Sequence, residues 1–375
     1  MKYLLVLLLA MHGLIHLIGF VKQWDLAPIT GFSGQGLVPL SKNLSQIIGI
    51  LWLAVCLAFL FSAVSVLLHK SWWWAPALTA LIVSQVLIIF YWNDAKWGTV
   101  ANVIILLIVV TAWGNWKFNH TVQDEITTLL TSPDKKDNTV ITSEMLQDLP
   151  LPVQNWLQHS GIVGKEKTHF VRLKQRGWMR TKPEQEKWIE ATAEQYFTVD
   201  EPAFIWKVKM NMLPLVPVTG RDKWVNGKGQ MKIKAFSLVN IVNQADEKID
   251  QGALQRYLAE ICWFPSAALS PYIQWQAIDA TSARATITYK GITGSVIFYF
   301  NEQGDMIGCS ADRYMGGGKE AKLEKWEVTS KGFAIKDGVR MPVKSEATWK
   351  LKSGDFTWYK LEITDVEYNH PTSHN

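Results

Sequence analysis

The sequence is poor in cysteine: Cys56, Cys262 and Cys309 are the only three in 375 residues, with no CxxC spacing and no obvious pair. No disulfide framework or thiolate metal site is therefore read from them, and the redox compartment stays open. A run of basic residues is also missing. The formal charge of +5 comes from Lys, Arg, Asp and Glu interleaved along the second half, which argues against nucleic acid as a partner. That half lacks a nucleophile motif, a phosphate-binding loop and a metal-ligand cluster, so no catalysis is expected in it. MGGGK at 315–319 has the glycines of a phosphate loop but neither its strand-to-helix setting nor its GK[ST] ending, and reads as a hairpin turn. HExxH is absent as well, because Gly13 stands between His12 and His16 where a zincin has its glutamate.

What the first part of the chain has in quantity is apolar sequence. Four runs, Tyr3 to Phe20, Leu44 to Leu68, Trp72 to Trp92 and Gly98 to Trp116, each approach the ~20 residues that cross a bilayer. Residues 1–116 are therefore read as a bundle of four transmembrane helices, the first of them uncleaved because no small-x-small site follows it. Tryptophan is abundant, 19 residues, and clusters at the ends of these runs as in interfacial belts. Polar residues inside the runs are the candidates for function. At ~1.5 Å per residue, His16, Gln85 and Asn102 fall ~6 to 10 Å below one membrane face and His12 ~12 Å below it, with Asp94 and Lys96 in the loop on that face. The cluster His12, His16, Gln85, Asp94, Lys96 and Asn102 admits a metal or b-type haem site, a proton relay, a head-group contact, or hydrogen bonds that only hold the helices together.

Residues 117–144, with SPDKKDN, read as a polar linker. From 145 to 375 the chain changes character. Pro150 and Pro152 open a short amphipathic helix that Gly161 ends, and the rest alternates apolar and polar residues in run after run. The expectation is an α+β domain: a curled antiparallel sheet of about ten strands, since so many strands do not stay flat. One segment, IDQGALQRYLAEICWFPSAALS, steps as a helix and is the element expected to cover the concave face, with Arg256, Tyr257, Glu260 and Trp263 as candidate ligand-binding residues. Arg221, Asp222, Asp312 and Arg313, in RDKW and ADRY, are expected to form cross-strand charge pairs.

The segments RYLAEICWFPSAALS, VRLKQRGWMR, AEQYFT, SARATITYKG and ADRYMGGG resemble a widespread bacterial family, a domain of unknown function, over about residues 145 to 370. HGLIHLIGF and WNDAKWGTVANV are similar to a membrane module that some of its members carry in front. By strand pattern, the sheet also looks like lipoprotein-carrier folds, a resemblance that implies acyl chains as the ligand class.

The reading that follows is a multi-pass protein of the bacterial inner membrane whose soluble domain binds a lipid or other hydrophobic small molecule. Its expected partners are membrane lipids, and no cofactor is expected. The alternatives are a membrane enzyme or a metal, haem or other redox protein centred on His12 and His16, and a non-catalytic scaffold. Lys and Arg near the spans balance across the two faces, and extending the count to Lys135 and Lys136 tips the soluble half toward the cytoplasm.

Overall fold

The computed structural model describes every residue except 1, 132–137, 214–215 and 375; Lys135, Lys136 and the SPDKKD stretch lie outside the described residues. The chain divides into two compact units, Met1–His120 and Thr121–Asn375.

In the first unit the apolar runs form helices α1 (Lys2–Gln23), α2 (Lys42–Leu67), α3 (Trp74–Phe90), the single turn α4 (Trp92–Ala95) and α5 (Gly98–Leu130). Among the described residues, three helices, α1, α2 and α5, are long and apolar enough to cross a membrane. The expected four spans are thus corrected to three plus a shorter apolar helix. The 17 residues of α3 reach only about 25 Å, because the backbone leaves the helical region at Tyr91. The polar stretch after Trp116, expected as linker, continues α5 as a helix to Leu130.

The bundle is inverted relative to a soluble protein. Leu7 and Ile15 of α1 are 53% and 59% exposed, while His12 and His16 are 4% and 2% exposed. Small residues let α1 and α2 approach closely: a Cβ on Gly13 would lie 3.0 Å from that of Phe59, and one on Gly19 would overlap the Trp52 ring.

The second unit holds α6 (Leu151–His159) and thirteen strands around α7 (Glu247–Glu260). Strands β1 (Phe170–Met179), β2 (Ile189–Thr198), β3 (Ala203–Leu213), β4 (Val216–Val225), β5 (Lys228–Ala235) and β6 (Val239–Gln244) run as one antiparallel meander. After α7 come β7 (Ile273–Asp279), β8 (Ser282–Tyr289), β9 (Ile292–Phe300), β10 (Met306–Met315), β11 (Lys322–Lys336), β12 (Val339–Leu351) and β13 (Gly354–Tyr368), a second meander. The two join where β1 pairs with β13, so β6 and β7 are the outer edges and α7 is the connection from one edge to the other. The sheet is a curled antiparallel half-barrel with α7 in its hollow.

Two expectations change here. About ten strands become thirteen, since the runs RDKWVNGKGQMKIKA and GSVIFYFNEQGDMIGCSADRY each hold two strands and a turn, and β6, mostly exposed on both faces, has no alternation to read. The charges of RDKW and ADRY also behave differently from expectation: Asp312 lies opposite Lys325 and Arg313 opposite Glu324 on β11, but among the described residues no ion pair forms across either, while Arg221 lies opposite Lys207 and Lys232.

Helix α7 is fixed at its start by Asp246, whose carboxylate accepts from the backbone N–H of Lys248 (2.9 Å) and Ile249 (3.0 Å). The same carboxylate accepts from Gly318 N (2.7 Å), so the MGGGK turn between β10 and β11 is docked on the helix N-terminus. Asp250 one turn later accepts from Gly229 N (2.6 Å) and pins the helix to β5. Gly229 is required there, because a Cβ would come within 2.8 Å of Ile249 O.

Candidate functional site

Beneath α7, side chains fail to fill the hollow of the sheet. The helix turns Gly252, Ala253 and Ala259 toward it, and β4 contributes Gly220, leaving a cavity of about 300 Å³. Its walls are apolar side chains of the strands, Trp206, Val208 and Met210 of β3 facing Trp326, Val328 and Trp349 of β11 and β12. A β-bulge on β13 adds to them. Ala347 pairs with Tyr359 but Thr348 with Thr357, so Trp358 is the extra residue, and both Trp358 and Tyr359 reach the lining. The lining passes from buried Cys262 and Trp263, through part-buried Lys248 and Tyr314, to exposed Gly316.

A buried polar chain crosses this apolar wall. Trp206 Nε1 (3.0 Å) and Tyr359 Oη (3.2 Å) both donate to Gln175 Oε1, and Gln175 Nε2 donates to Gln195 Oε1 (3.2 Å). Gln195 Nε2 in turn donates to Glu260 Oε2 (2.8 Å). Arg256 closes the chain, with Nε on Glu260 (2.9 Å) and Nη1 on Asp222 (2.7 Å), its guanidinium 5.0 Å from the centres of both the Phe204 and Trp206 rings. Burial opposes the charge on Arg256, but Glu260 and Asp222 outweigh it and hold the group protonated above its ordinary range. Both carboxylates of the wall are thereby taken up by Arg256. Arg221 is held by Glu125 (3.0 Å) and by Gln230.

Arg313 is different. Its Nε donates to Gly252 O (2.9 Å), and its guanidinium stacks over Trp326 (5.0 Å) and Trp349 (5.9 Å). Among the described residues it lies in no ion pair. Burial, with Arg256 nearby, pulls its pKa down to about 10.

Of the residues expected to bind ligand, Arg256, Glu260 and Trp263 line the cavity. Tyr257 does not: it is in the packed core beneath Phe197, Phe264 and Trp224, with its hydroxyl donating to Thr198 O (3.3 Å). Arg313 was read as a cross-strand partner and not as part of this site. The signal was present, since Cys309, Ala311 and Met315 share its face of β10 and are buried or part-buried, which places a cation on an apolar, inward-facing row.

The polar residues of the first unit form a second cluster. His12 Nε2 and Asn102 Oδ1 are 2.7 Å apart, His16 Nδ1 and His12 O 2.7 Å, and His16 Nε2 and Ser84 Oγ 2.8 Å. Asn102 Nδ2 donates to Ser84 Oγ (3.0 Å) and Gln85 Oε1 (3.0 Å), while Phe59 and Trp52 pack against the histidine rings. Asp94 and Lys96 stay outside: Asp94 accepts from Ser33 Oγ (2.8 Å) and Gly34 N (2.9 Å) and ties down the loop after α1. Three of the four ring nitrogens in the cluster are engaged by other protein groups, so a metal at His12 and His16 would have to displace them. A separate group, Asp365, Glu367 and His374, brings ligand atoms within 4.8 Å of one another, but Glu367 is already held by Arg172 at 2.7 Å.

Comparison with known proteins gives a family and a fold neighbour. The model of a family of unknown function (DUF6544) matches residues 139–361. A crystal structure of a LolA superfamily protein, NE2245 from Nitrosomonas europaea, is similar over 59% of this chain and 95% of that chain, at 11% identity and a TM-score of 0.32. No curated protein matches the chain in sequence.

Proposed function

The chain belongs to the DUF6544 family, whose function is unknown, and we propose from its own residues that it is a membrane-anchored protein that binds a lipid or other hydrophobic ligand in the hollow of its sheet. The observation that carries this reading is the cavity under α7. A space of about 300 Å³ among tryptophan, methionine and valine side chains, with a few fixed polar groups, has the size and lining of small-molecule sites, and leaving it empty forfeits contacts that a packed core would make. The inverted surface of the helical unit, with leucine and isoleucine outward and histidine inward, supports the anchoring, as do the three helices of spanning length.

The test is extraction of the full chain, gently purified, with organic solvent, followed by mass spectrometry. A stoichiometric apolar molecule is expected, and it should be lost from a cavity-filling variant such as Ala259→Phe that still folds. A full chain that carries nothing and takes up no apolar probe would overturn the reading.

A further inference from the structure

Resting on that reading, we propose that the ligand ends in a carboxylate, which Arg313 receives. Every other charged side chain of the cavity wall is matched: Arg256 by Glu260 and Asp222, Arg221 by Glu125, and Lys248 by the carbonyls of Gly318 (2.9 Å) and Ala321 (3.4 Å). Arg313 has only one carbonyl, on Nε, and two tryptophan faces. Its Nη1 and Nη2 have no hydrogen-bond partner among the described residues. A guanidinium held by Nε and flanked by flat rings presents these two amino groups as a fork, the shape that takes a carboxylate through two parallel hydrogen bonds.

A second observation points the same way. Among the lining residues, the buried polar atoms without a partner are all donors, the indole N–H groups of Trp263, Trp326 and Trp358. Even with Glu125 counted, the cations of the wall outnumber its carboxylates. The site is short of acceptors and of negative charge, and a carboxylate supplies both. Position along the cavity gives the orientation. Arg313 is three residues before exposed Gly316, and Cys262 and Trp263 are the buried end, so the chain of the ligand runs inward and its head stays near the opening.

The experiment uses the full chain in amphipol and three probes with the same alkyl chain: laurate, lauryl alcohol and laurylamine. Wild type should bind laurate about ten- to a hundredfold more tightly than lauryl alcohol, the range of charge-assisted hydrogen bonds, and laurylamine most weakly. Arg313→Met should remove the advantage of laurate while leaving lauryl alcohol unchanged, and Arg313→Lys should restore part of it. Equal binding of laurate and lauryl alcohol by wild type overturns the carboxylate but leaves the apolar site standing. Binding of none of the three overturns the site itself. If Arg313→Met fails to fold, the wild-type ratio decides alone.

Discussion

The two buried polar clusters of this chain differ in one respect. In the helical unit, histidine, serine, glutamine and asparagine bond to one another across three helices, and three of the four histidine ring nitrogens are engaged. In the sheet unit, an equally continuous chain from Gln175 to Asp222 is satisfied, but beside it stands Arg313 with four of its five N–H donors unmatched among the described residues. Histidines within an apolar run draw attention in a sequence, yet here they are bonded to side chains of two other helices. The arginine in an ordinary strand is the group with capacity left over, and unmet hydrogen-bonding capacity, more than rarity of residue type, separates a binding site from a structural network.

That contrast is sharpest in stability measurements. Arg256→Met strands Glu260 and Asp222 without their cation and should cost about 3–5 kcal/mol in denaturant unfolding followed by tryptophan fluorescence. Arg313→Met removes an unpaired charge and one hydrogen bond, effects of opposite sign, and should change stability of the ligand-free protein by less than about 1 kcal/mol. Equal losses in the two variants would dissolve the distinction drawn between them. In the helical unit, Asn102→Leu breaks the bonds to His12, Ser84 and Gln85 and should cost about 1–2 kcal/mol in thermal unfolding in detergent, with Ser84→Ala costing less. An unchanged melting temperature for Asn102→Leu would mean that the cluster does not lock the bundle.

The smallest expected effect is at the entrance to α7. Asp246→Ala should cost about 1 kcal/mol, the value of an N-cap. Burial raises the Asp246 carboxyl, but the N–H groups of Ile249, Gly318 and Lys248 outweigh it and hold the carboxyl below its ordinary value. A carboxyl depressed in the folded state gives stability that is present at neutral pH and is lost as pH falls through that depressed value. Asp246→Asn keeps a capping oxygen but cannot titrate, so its melting temperature should fall less steeply in acid than that of wild type.

Helices and strands were legible in the sequence to the extent that their surroundings are uniform. The apolar runs marked the helices of the first unit because they are apolar along their whole length, and the step from Leu254 to Leu258 marked α7, which is buried on nearly every side. Strand alternation showed most of the sheet and missed β6, where both faces are largely open. The candidate site was legible only in part. Arg256 and Glu260 are one helical turn apart, so their pairing is local, whereas Arg313 reaches the cavity only because the sheet curls β10 toward α7, and neither the curl nor the bulge at Trp358 has a local sequence signature.

The seam between β1 and β13 has a consequence for synthesis. One side of β1 pairs with β2, which follows within a few residues, but the other waits for Tyr359 to Tyr368 near the end of the chain. Until the ribosome has delivered that segment, β1 carries an open edge able to pair with any passing strand. The N-terminal helices are complete long before then, so the emerging sheet spends its most vulnerable interval already tethered to them.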